Sequence, residues 1–386
     1  MFPHSDELSA CIQCGYCTNA CPIYKEIGWE SSSPRGKVYW LKQYMQNSPM
    51  DFFLGKKEIN KEFVRRMYQC TMCGRCAEVC HVEIKFSEYW EDIREWLAST
   101  ANPPENHAMM HKSILSVHNP FNEAFEKRTE WCSEYKSKNA ELVFFTGCVI
   151  SYQLFKLGTT ILKILEKCGI EFSVLGGREW CCGNPLALTG QTDILWELGE
   201  HNISAIEGMG AKRIVTPCPG CYKTFKNTYP KKVGKPGFEV LHISQLLKEI
   251  IDENKLSFKK EFKGNVIYHD PCELGRLCGI YEEPRKVLEN IPGLKLIEFS
   301  SNRRLSNCCG AGGALKAIEN ELSLKIAEKK INEAIENSAD YIASSCPSCR
   351  FNLNQAAIAK KKEEKERGKT IKLDVLDICE IVGRLV

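Results

Sequence analysis

Two stretches of the chain carry the same arrangement of cysteines, and this duplication decides how the rest of the sequence is interpreted. The first copy contains Cys148, Cys181-Cys182-Gly183 and Cys218-Pro219-Gly220-Cys221; the second contains Cys272, Cys308-Cys309-Gly310 and Cys346-Pro347-Ser348-Cys349. From the single cysteine to the pair there are 32 intervening residues in the first copy and 35 in the second, and from the pair to C-x-x-C there are 35 and 36. Ten thiols at matched spacing predict two clusters of soft metal ligands rather than ten packing residues.

Two further cysteine runs lie near the start of the chain. Residues 11–22 read CIQCGYCTNACP and residues 70–82 read CTMCGRCAEVCHV, so both contain C-x2-C-x2-C-x3-C. In a two-cluster ferredoxin such a run gives three cysteines to one cubane and the fourth to the other. Zinc fits less well, because zinc sites use four ligands in two pairs. The pattern predicts two cubane 4Fe-4S clusters, with the ligand sets Cys11, Cys14, Cys17 with Cys80, and Cys70, Cys73, Cys76 with Cys21.

The predicted strands of the duplicated region end close to the ligand cysteines. Apolar runs at 142–145, 213–216 and 266–269 each stop two or three residues before a cysteine of the pattern, and helical periodicity separates them. A parallel α/β layer places its sites at the carboxyl ends of its strands. The predicted fold is therefore α/β, with an N-terminal α-helical di-cluster ferredoxin module followed by an internally duplicated α/β cysteine-rich domain.

Domain boundaries are expected at 1–100 for the ferredoxin module, 101–140 for a connector, 141–255 for the first repeat and 256–386 for the second. Within the module, Val38, Trp40, Leu41, Tyr44 and Met45 have helical spacing and predict a helix between the two runs. The connector contains Asn-Pro breaks and is expected to wrap the second domain with little chemistry of its own. Its histidines at 107, 111 and 118 are expected to be solvated.

The amino-acid composition limits the classes of function that this chain is expected to have. The 386 residues carry a net charge of +3 without a sustained basic stretch, so nucleic acid is not an expected partner. The chain has 22 cysteines, which are clustered, and it lacks an apolar leader. These features indicate that the protein is located in a reducing cytoplasm. No run approaches about 18 apolar residues, so the chain is not expected to span a membrane. We expect a cytoplasmic protein that could dock peripherally on the inner face of a membrane through a partner.

The cysteine-rich repeats resemble the CCG-domain family of iron-sulfur oxidoreductases, and with the N-terminal runs they are most similar to the fused catalytic subunit of membrane-linked heterodisulfide reductases. The resemblance implies that each complete motif binds one noncubane 4Fe-4S cluster through five cysteines. The implied ligands are Cys148, Cys181, Cys182, Cys218 and Cys221 for one cluster, and Cys272, Cys308, Cys309, Cys346 and Cys349 for the other.

Other interpretations of these thiols stay open at the level of sequence. Spacing alone would permit ordinary cubanes, although adjacent cysteines suit an opened cluster better. Zinc could pair Cys218 and Cys221 with Cys346 and Cys349, but zinc ribbons separate their pairs by about 15–20 residues. A dithiol site at Cys218 and Cys221 would leave the CCG cysteines unexplained. The spare cysteines, expected only to pack, are Cys132, Cys168, Cys278 and Cys379, the last of which aligns with Ser244.

The resemblance implies electron transfer from the two cubanes to the two noncubane clusters and reduction of a disulfide such as the coenzyme M and coenzyme B heterodisulfide. Cys182 and Cys309 are the expected catalytic cysteines. Family sequences commonly read His-Asp-Pro-Cys-His where this chain reads His269-Asp270-Pro271-Cys272-Glu273. Glu273 or His269 would then have to supply the proton. The alternative is an electron relay for a flavin dehydrogenase or a quinone-linked complex, with a flavoprotein or a membrane cytochrome b-type subunit as redox partner.

Overall fold

A computed structural model describes residues 5–45, 59–135 and 140–386. Residues 1–4, 46–58 and 136–139 belong to the predicted ferredoxin module and connector and lie outside these ranges, as does the side chain of Met45. All statements below concern the described residues.

The described part of the N-terminal region is helical, as the periodicity predicts. Its longest helix buries Phe86, Trp90, Ile93 and Leu97, which recur at helical spacing and form one apolar face against the other helices. The predicted helix between the two cysteine runs begins at Pro34. Proline is tolerated at this position because an N–H group there would have no partner within the helix. The α-helices here are Ser5–Ala10, Tyr16–Ala20, Pro22–Ile27, Pro34–Met45, Lys61–Tyr68, Arg75–Glu78, Phe86–Thr100 and Glu105–Val117, with 3-10 turns at Glu30–Ser32, Phe125–Arg128 and Glu130–Cys132.

Each cysteine-rich repeat forms a four-stranded parallel sheet. The strands are β1 Leu142–Phe144, β2 Ser173–Val174, β3 Arg213–Thr216 and β4 Glu239–His242 in the first repeat, and β5 Gly264–His269, β6 Leu294–Glu298, β7 Tyr341–Ser344 and β8 Asp374–Asp377 in the second. The strand orders are β2-β1-β3-β4 and β6-β5-β7-β8, with every pair parallel. Both repeats therefore have one topology, and the loops that carry the cysteines follow the carboxyl ends of equivalent strands.

Helices connect these strands in the order that the sequence predicts. In the second repeat, the helix that begins at Leu315 is interrupted at Glu319, whose φ is −141°, and a later helix extends into the charged residues as far as Glu366. The α-helices are Cys148–Gln153, Phe155–Lys167, Asn184–Thr189, Leu195–Glu207, Pro219–Lys223, Tyr229–Lys232 and Ile243–Asp252, then Glu282–Glu289, Leu315–Ile318, Asn320–Glu336, Pro347–Glu366 and Ile378–Gly383, with a π-helical turn at Thr224–Thr228.

One apolar core joins the two sheets. Phe144 and Leu241 from the first sheet belong to the same buried cluster as Tyr268 and Leu376 from the second, together with the helix Phe155–Lys167. Burying these side chains against each other fixes the two repeats in one relative position. The carboxyl ends of both sheets consequently open towards a shared space.

The spare cysteines fill apolar positions. Cys132, Cys168 and Cys379 belong to the core that joins the sheets, and Cys278 packs against the core of the first repeat. Within the described ranges, no helix combines the length and the apolar character that crossing a bilayer requires.

Candidate iron-sulfur site

The first N-terminal thiol group lies at the surface of the molecule. Cys11, Cys14, Cys17 and Cys80 line one pocket, so the last cysteine of the second run meets the first three of the first run. Cys14 is exposed and Cys17 is buried. Burial raises the pKa of the Cys17 thiol to about 12. Four converging sulfur donors are the ligand set of a 4Fe-4S cluster.

The second N-terminal thiol group is more deeply placed. A separate pocket is lined by Cys21, Cys70, Cys73 and Cys76. The fourth cysteine of each run therefore joins the first three cysteines of the other run. Burial raises the pKa of Cys21 to about 12, and the nearby charge of Lys37 opposes that rise. Lys37 is itself only 2% exposed.

Backbone geometry repeats between the two runs. Gly15 and Gly74 each precede a short helix with φ of 85° and 73°, and Gln13 and Met72 also have positive φ. A Cβ atom on Gly15 would lie 2.7 Å from an Arg35 side-chain nitrogen. The glycine is favoured at this position by its left-handed backbone conformation, whereas the Arg35 side chain could move aside for a Cβ.

The five cysteines of the first repeat form one buried group. Cys181 contacts Cys148 and Cys182, and Cys221 contacts Cys182 and Cys218. Hydrogen bonds from Cys181 and Cys221 hold the pKa of Cys182 well below its usual value. Cys218 is the member that is partly exposed.

The five cysteines of the second repeat follow the same order of contacts. Cys308 contacts Cys272 and Cys309, and Cys349 contacts Cys309 and Cys346. The Cys309 and Cys349 sulfurs are 3.2 Å apart. Hydrogen bonds from Cys308 and Cys349 hold the pKa of Cys309 well below its usual value. Ten sulfurs in two groups of five fit two iron-sulfur clusters. The alternative of one zinc ion shared by both C-x-x-C pairs finds no support, because each pair joins a different group.

The glycine of each CCG shapes the loop around its cysteines. Gly183 and Gly310 have φ of 84° and 87°. Their N–H groups donate to the sulfurs of Cys181 and Cys308 at 3.4 and 3.3 Å. A Cβ on Gly310 would lie 2.2 Å from the Ser323 carbonyl oxygen. The motif thus needs glycine for its backbone conformation, and the same conformation points an N–H at the sulfur.

The connector supplies a residue that no pattern in the sequence singles out. Arg128 is 1% exposed, pairs with Glu179 at 2.6 Å, and donates from Nη2 to the Cys148 sulfur at 3.3 Å. Glu179 also accepts hydrogen bonds from the backbone N–H groups of Thr146 and Gly147. The expectation that the connector contributes little chemistry was wrong, because a buried cation from it contacts a predicted ligand. No sequence signal separates Arg128 from its charged neighbours.

One of the connector histidines differs from expectation. His107 is fully buried, and its Nε2 lies 3.0 Å from the Ala314 carbonyl oxygen. Burial lowers the pKa of His107 to about 4. His111, which contacts Asp193, and His118 both keep partial exposure to solvent.

Thiols of the ferredoxin module and the second repeat meet directly. Cys73 forms a small buried cluster with Cys272 and Cys308. Arg276 donates to the Cys73 carbonyl oxygen at 2.7 Å, and its buried Nη2 has no hydrogen-bond partner among the described residues. The second N-terminal group therefore lies beside the second repeat.

A cavity of about 840 Å³ lies where both repeats present their cysteine loops. Counted from the cysteines, its wall contains three pairs of equivalent positions, Val149 with Glu273, Asn184 with Ala311, and Pro185 with Gly312. Cys218 also lines it. The cavity therefore lies between the two repeats, and equivalent positions of both repeats line it.

Of the two candidate proton donors, Glu273 reaches this cavity and His269 does not line it. Glu273 accepts a hydrogen bond from Asn184 Nδ2 at 3.1 Å, and burial raises the pKa of its carboxyl group. The ring of His269 instead lies within 4.8 Å of the Cys309 and Cys349 sulfurs.

Comparison with known families agrees with this arrangement. The family described as the cysteine-rich (CCG) domain matches residues 142–226 and 266–354, and the 4Fe-4S dicluster domain matches residues 7–84. Together with the relatives below, these matches define the class of the protein as an iron-sulfur oxidoreductase that carries 4Fe-4S clusters.

Two related proteins indicate the family within this class. The dihydromethanophenazine:CoB–CoM heterodisulfide reductase D subunit from Methanosarcina barkeri is 36% identical over 98% of this chain and 93% of that protein. The fumarate reductase (CoM/CoB) B subunit from Methanothermobacter marburgensis is 32% identical over 92% of this chain and 69% of that protein. The chain belongs to the family of heterodisulfide reductase D subunits. A crystal structure of a hypothetical protein from Helicobacter pylori shares the fold, with a TM-score of 0.57 and 13% identity over 98% of this chain and 76% of that one.

Proposed function

We propose that this chain is the catalytic subunit of a disulfide reductase and holds two cubane and two noncubane 4Fe-4S clusters. Cys11, Cys14, Cys17 and Cys80 would hold one cubane and Cys21, Cys70, Cys73 and Cys76 the other. The two groups of five cysteines in the repeats would each hold one noncubane cluster. The names of the relatives support the reaction class, because one reduces a heterodisulfide and the other is a fumarate reductase named for the same two thiols.

The observation that carries this proposal is the cavity shared by the two repeats. Its wall contains equivalent residues that follow the first cysteine and the CCG in both copies. Cleaving a disulfide yields two sulfur products, so a cavity lined by Cys218 of the first group and by residues next to the cysteines of the second suits capture of one sulfur on each side. An electron relay needs only spaced redox centres and has no use for such a cavity.

The residues of the cavity suit a partly apolar and anionic substrate. Met109, Leu188 and Phe351 supply apolar surface, while Lys112 and Lys316 supply positive charge. Lys316 is held by a 2.9 Å hydrogen bond from its Nζ to Asn352 Oδ1. Apolar side chains exclude water from the bond that breaks, and the lysines would orient an acidic arm of the substrate.

Two electrons and two protons convert a disulfide into two thiols. When bound, the clusters supply the single electrons and the iron that receives sulfur. The chain supplies the protons, and Glu273 is the candidate donor because it lies on the cavity wall with Asn184 fixing its carboxyl group. Cys182 and Cys309, each at the centre of its thiol group, are the cysteines on which catalysis depends most.

Electrons would enter from a redox partner at the first cubane, where Cys14 is exposed beside the exposed Ile12. The contact of Cys73 with Cys272 and Cys308 would let the second cubane pass them to the second repeat. The relatives are subunits of reductases, so we infer a redox partner of the cytochrome b or flavoprotein type. A cytoplasmic location, with docking on the inner face of a membrane, follows from a cytochrome b partner.

The second candidate function is an electron relay. Glu273 favours it, because this residue stands where the related sequences commonly have a histidine. If a histidine is required to protonate the product thiolate, the chain would pass electrons to a flavoprotein or quinone site on another subunit.

Turnover by the isolated chain separates the two functions. Protein assembled without oxygen should contain about sixteen irons and no zinc, as four 4Fe-4S clusters require. With a one-electron donor such as reduced methyl viologen, it should reduce a disulfide with acidic arms. Glu273→Gln should slow turnover roughly 100-fold, within the range for general acids, with iron content unchanged. Glu261→Gln, at an exposed site outside the cavity, is the matched control.

Two results would decide against the proposed reductase, and a third would decide only against its proton donor. About eight irons with stoichiometric zinc would leave only the ferredoxin module loaded. Absence of turnover with every cluster present and reducible would favour the relay. Unchanged turnover in Glu273→Gln would remove Glu273 as the proton donor while keeping the reductase.

A further inference from the structure

His269 is a buried side chain to which the reductase described above gives no task. It ends strand β5, is 1% exposed, and neither ring nitrogen has a hydrogen-bond partner among the described residues. Buried polar groups are nearly always paired, so two orphan nitrogens on one ring indicate a missing partner. His269 does not line the cavity, so a substrate bound there would not be that partner.

The nearest polar neighbours of the ring are sulfurs. A ring nitrogen of His269 and the sulfurs of Cys309 and Cys349 all lie within 4.8 Å of one another. Both cysteines belong to the five-thiol group of the second repeat. A neutral imidazole always carries one N–H, and thiolate or cluster sulfur accepts hydrogen bonds.

The first repeat has no imidazole at the equivalent position, although Arg128 donates to its Cys148 sulfur. Counted back from the first cysteine, the position of His269 is taken by Phe145, which packs edge-on against Phe225 at a centroid distance of 4.9 Å. The two five-thiol groups therefore have the same ligand order, but only the second has an imidazole against its sulfurs among the described residues.

The ring can donate whatever its charge. A neutral imidazole carries one N–H and a protonated imidazole carries two, so His269 has a donor for these sulfurs in either form. Lys330 is buried nearby, and its Nζ lies 3.5 Å from the centroid of the Phe299 ring.

We propose that His269 donates an N–H···S hydrogen bond to the Cys309–Cys349 sulfur pair and thereby makes the second-repeat cluster easier to reduce than it would be without this bond. Hydrogen bonds to cluster sulfurs stabilise the more negative, reduced form. The inference rests on the proposed assignment of one cluster to each repeat. It makes His269 a positioning and tuning residue rather than a proton donor to the substrate.

The test uses the full chain with its clusters, labelled with 15N-histidine. Pulsed electron paramagnetic resonance of the reduced protein should detect a weak nitrogen coupling on one cluster signal. His269→Phe, which installs the residue of the first repeat, should abolish that coupling with iron content unchanged. The same variant should lower the reduced-to-oxidised ratio of that cluster about tenfold at fixed potential, about 59 mV for one electron. His111→Gln is the control, because His111 contacts Asp193 and lies outside the thiol groups.

Several results of this experiment would overturn the inference. A nitrogen coupling that is absent, or that survives in His269→Phe, overturns the inference. A coupling strong enough for a direct iron–nitrogen bond replaces the hydrogen bond with ligation and also overturns it. If the variant does not fold, the labelled wild-type spectrum still decides. Failure of the cluster assignment itself would appear separately, as missing iron in the wild-type protein.

Discussion

The two cysteine-rich repeats share their ligand pattern and differ in what surrounds it. In the first, Arg128 comes from the connector, pairs with Glu179 and donates to the Cys148 sulfur at 3.3 Å. In the second, Arg285 comes from the repeat itself and binds Asp270 at 2.7 Å, and none of its described hydrogen bonds reaches a cysteine sulfur. Duplication has kept the thiols and their backbone while the buried charges diverged. We expect two centres with the same ligands and different properties.

Loss of a central cysteine should have the largest effect and should affect the two repeats equally. Cys182→Ser and Cys309→Ser should each reduce the iron content from about sixteen to about twelve per chain, because one cluster loses a ligand. Disulfide turnover should fall by more than about 100-fold, since even outer contacts to a metal site cost that much. Metal analysis and turnover on the same samples check this. Retention of all iron in either variant would show that its cysteine is not a ligand.

Breaking the buried ion pairs should give the next largest effect and should distinguish the repeats. Arg128→Met and Arg285→Met each leave a buried carboxylate unpaired, which costs roughly 3–5 kcal/mol of unfolding free energy. Only Arg128→Met should also change the spectrum of a cluster, because only Arg128 donates to a ligand sulfur.

Denaturant unfolding and visible absorption measure the two effects of these arginine variants. The control is Lys127→Gln, because Lys127 is exposed although it is next to Arg128. This variant should leave the unfolding free energy and the visible absorption unchanged. A spectral change of equal size in Arg285→Met would contradict the difference between the repeats.

The smallest effect is expected at Cys379. It occupies the place of Ser244, and both residues lie within an N-terminal capping box, formed by His242 with Gln245 and by Asp377 with Glu380. Cys379→Ser should keep all iron and lower the unfolding free energy by about 1 kcal/mol, as for burial of one hydroxyl group. Loss of iron from this variant would show that the two strand-and-helix ends had been aligned wrongly.

Much of the fold was accessible from local pattern. The predicted strand 213–216 agrees with β3, and the runs at 142–145 and 266–269 agree with β1 and the end of β5. Short apolar runs bounded by Gly or Pro determine such strands locally. The interruption at Glu319 was not predicted, because a single non-helical residue inside a long amphipathic pattern leaves almost no periodic signal.

Cysteine spacing, the apolar runs beside it and the family resemblance were together enough to predict the fold class, the family and a grouping of eighteen cysteines into four candidate ligand sets. The folded chain was needed to show which groups share a cavity, that Cys73 meets the second repeat, and that Arg128 and His269 lie against sulfur. These contacts join residues that are distant in the chain through packing of helices on sheets. A lone arginine or histidine has no period or spacing that would indicate such a contact.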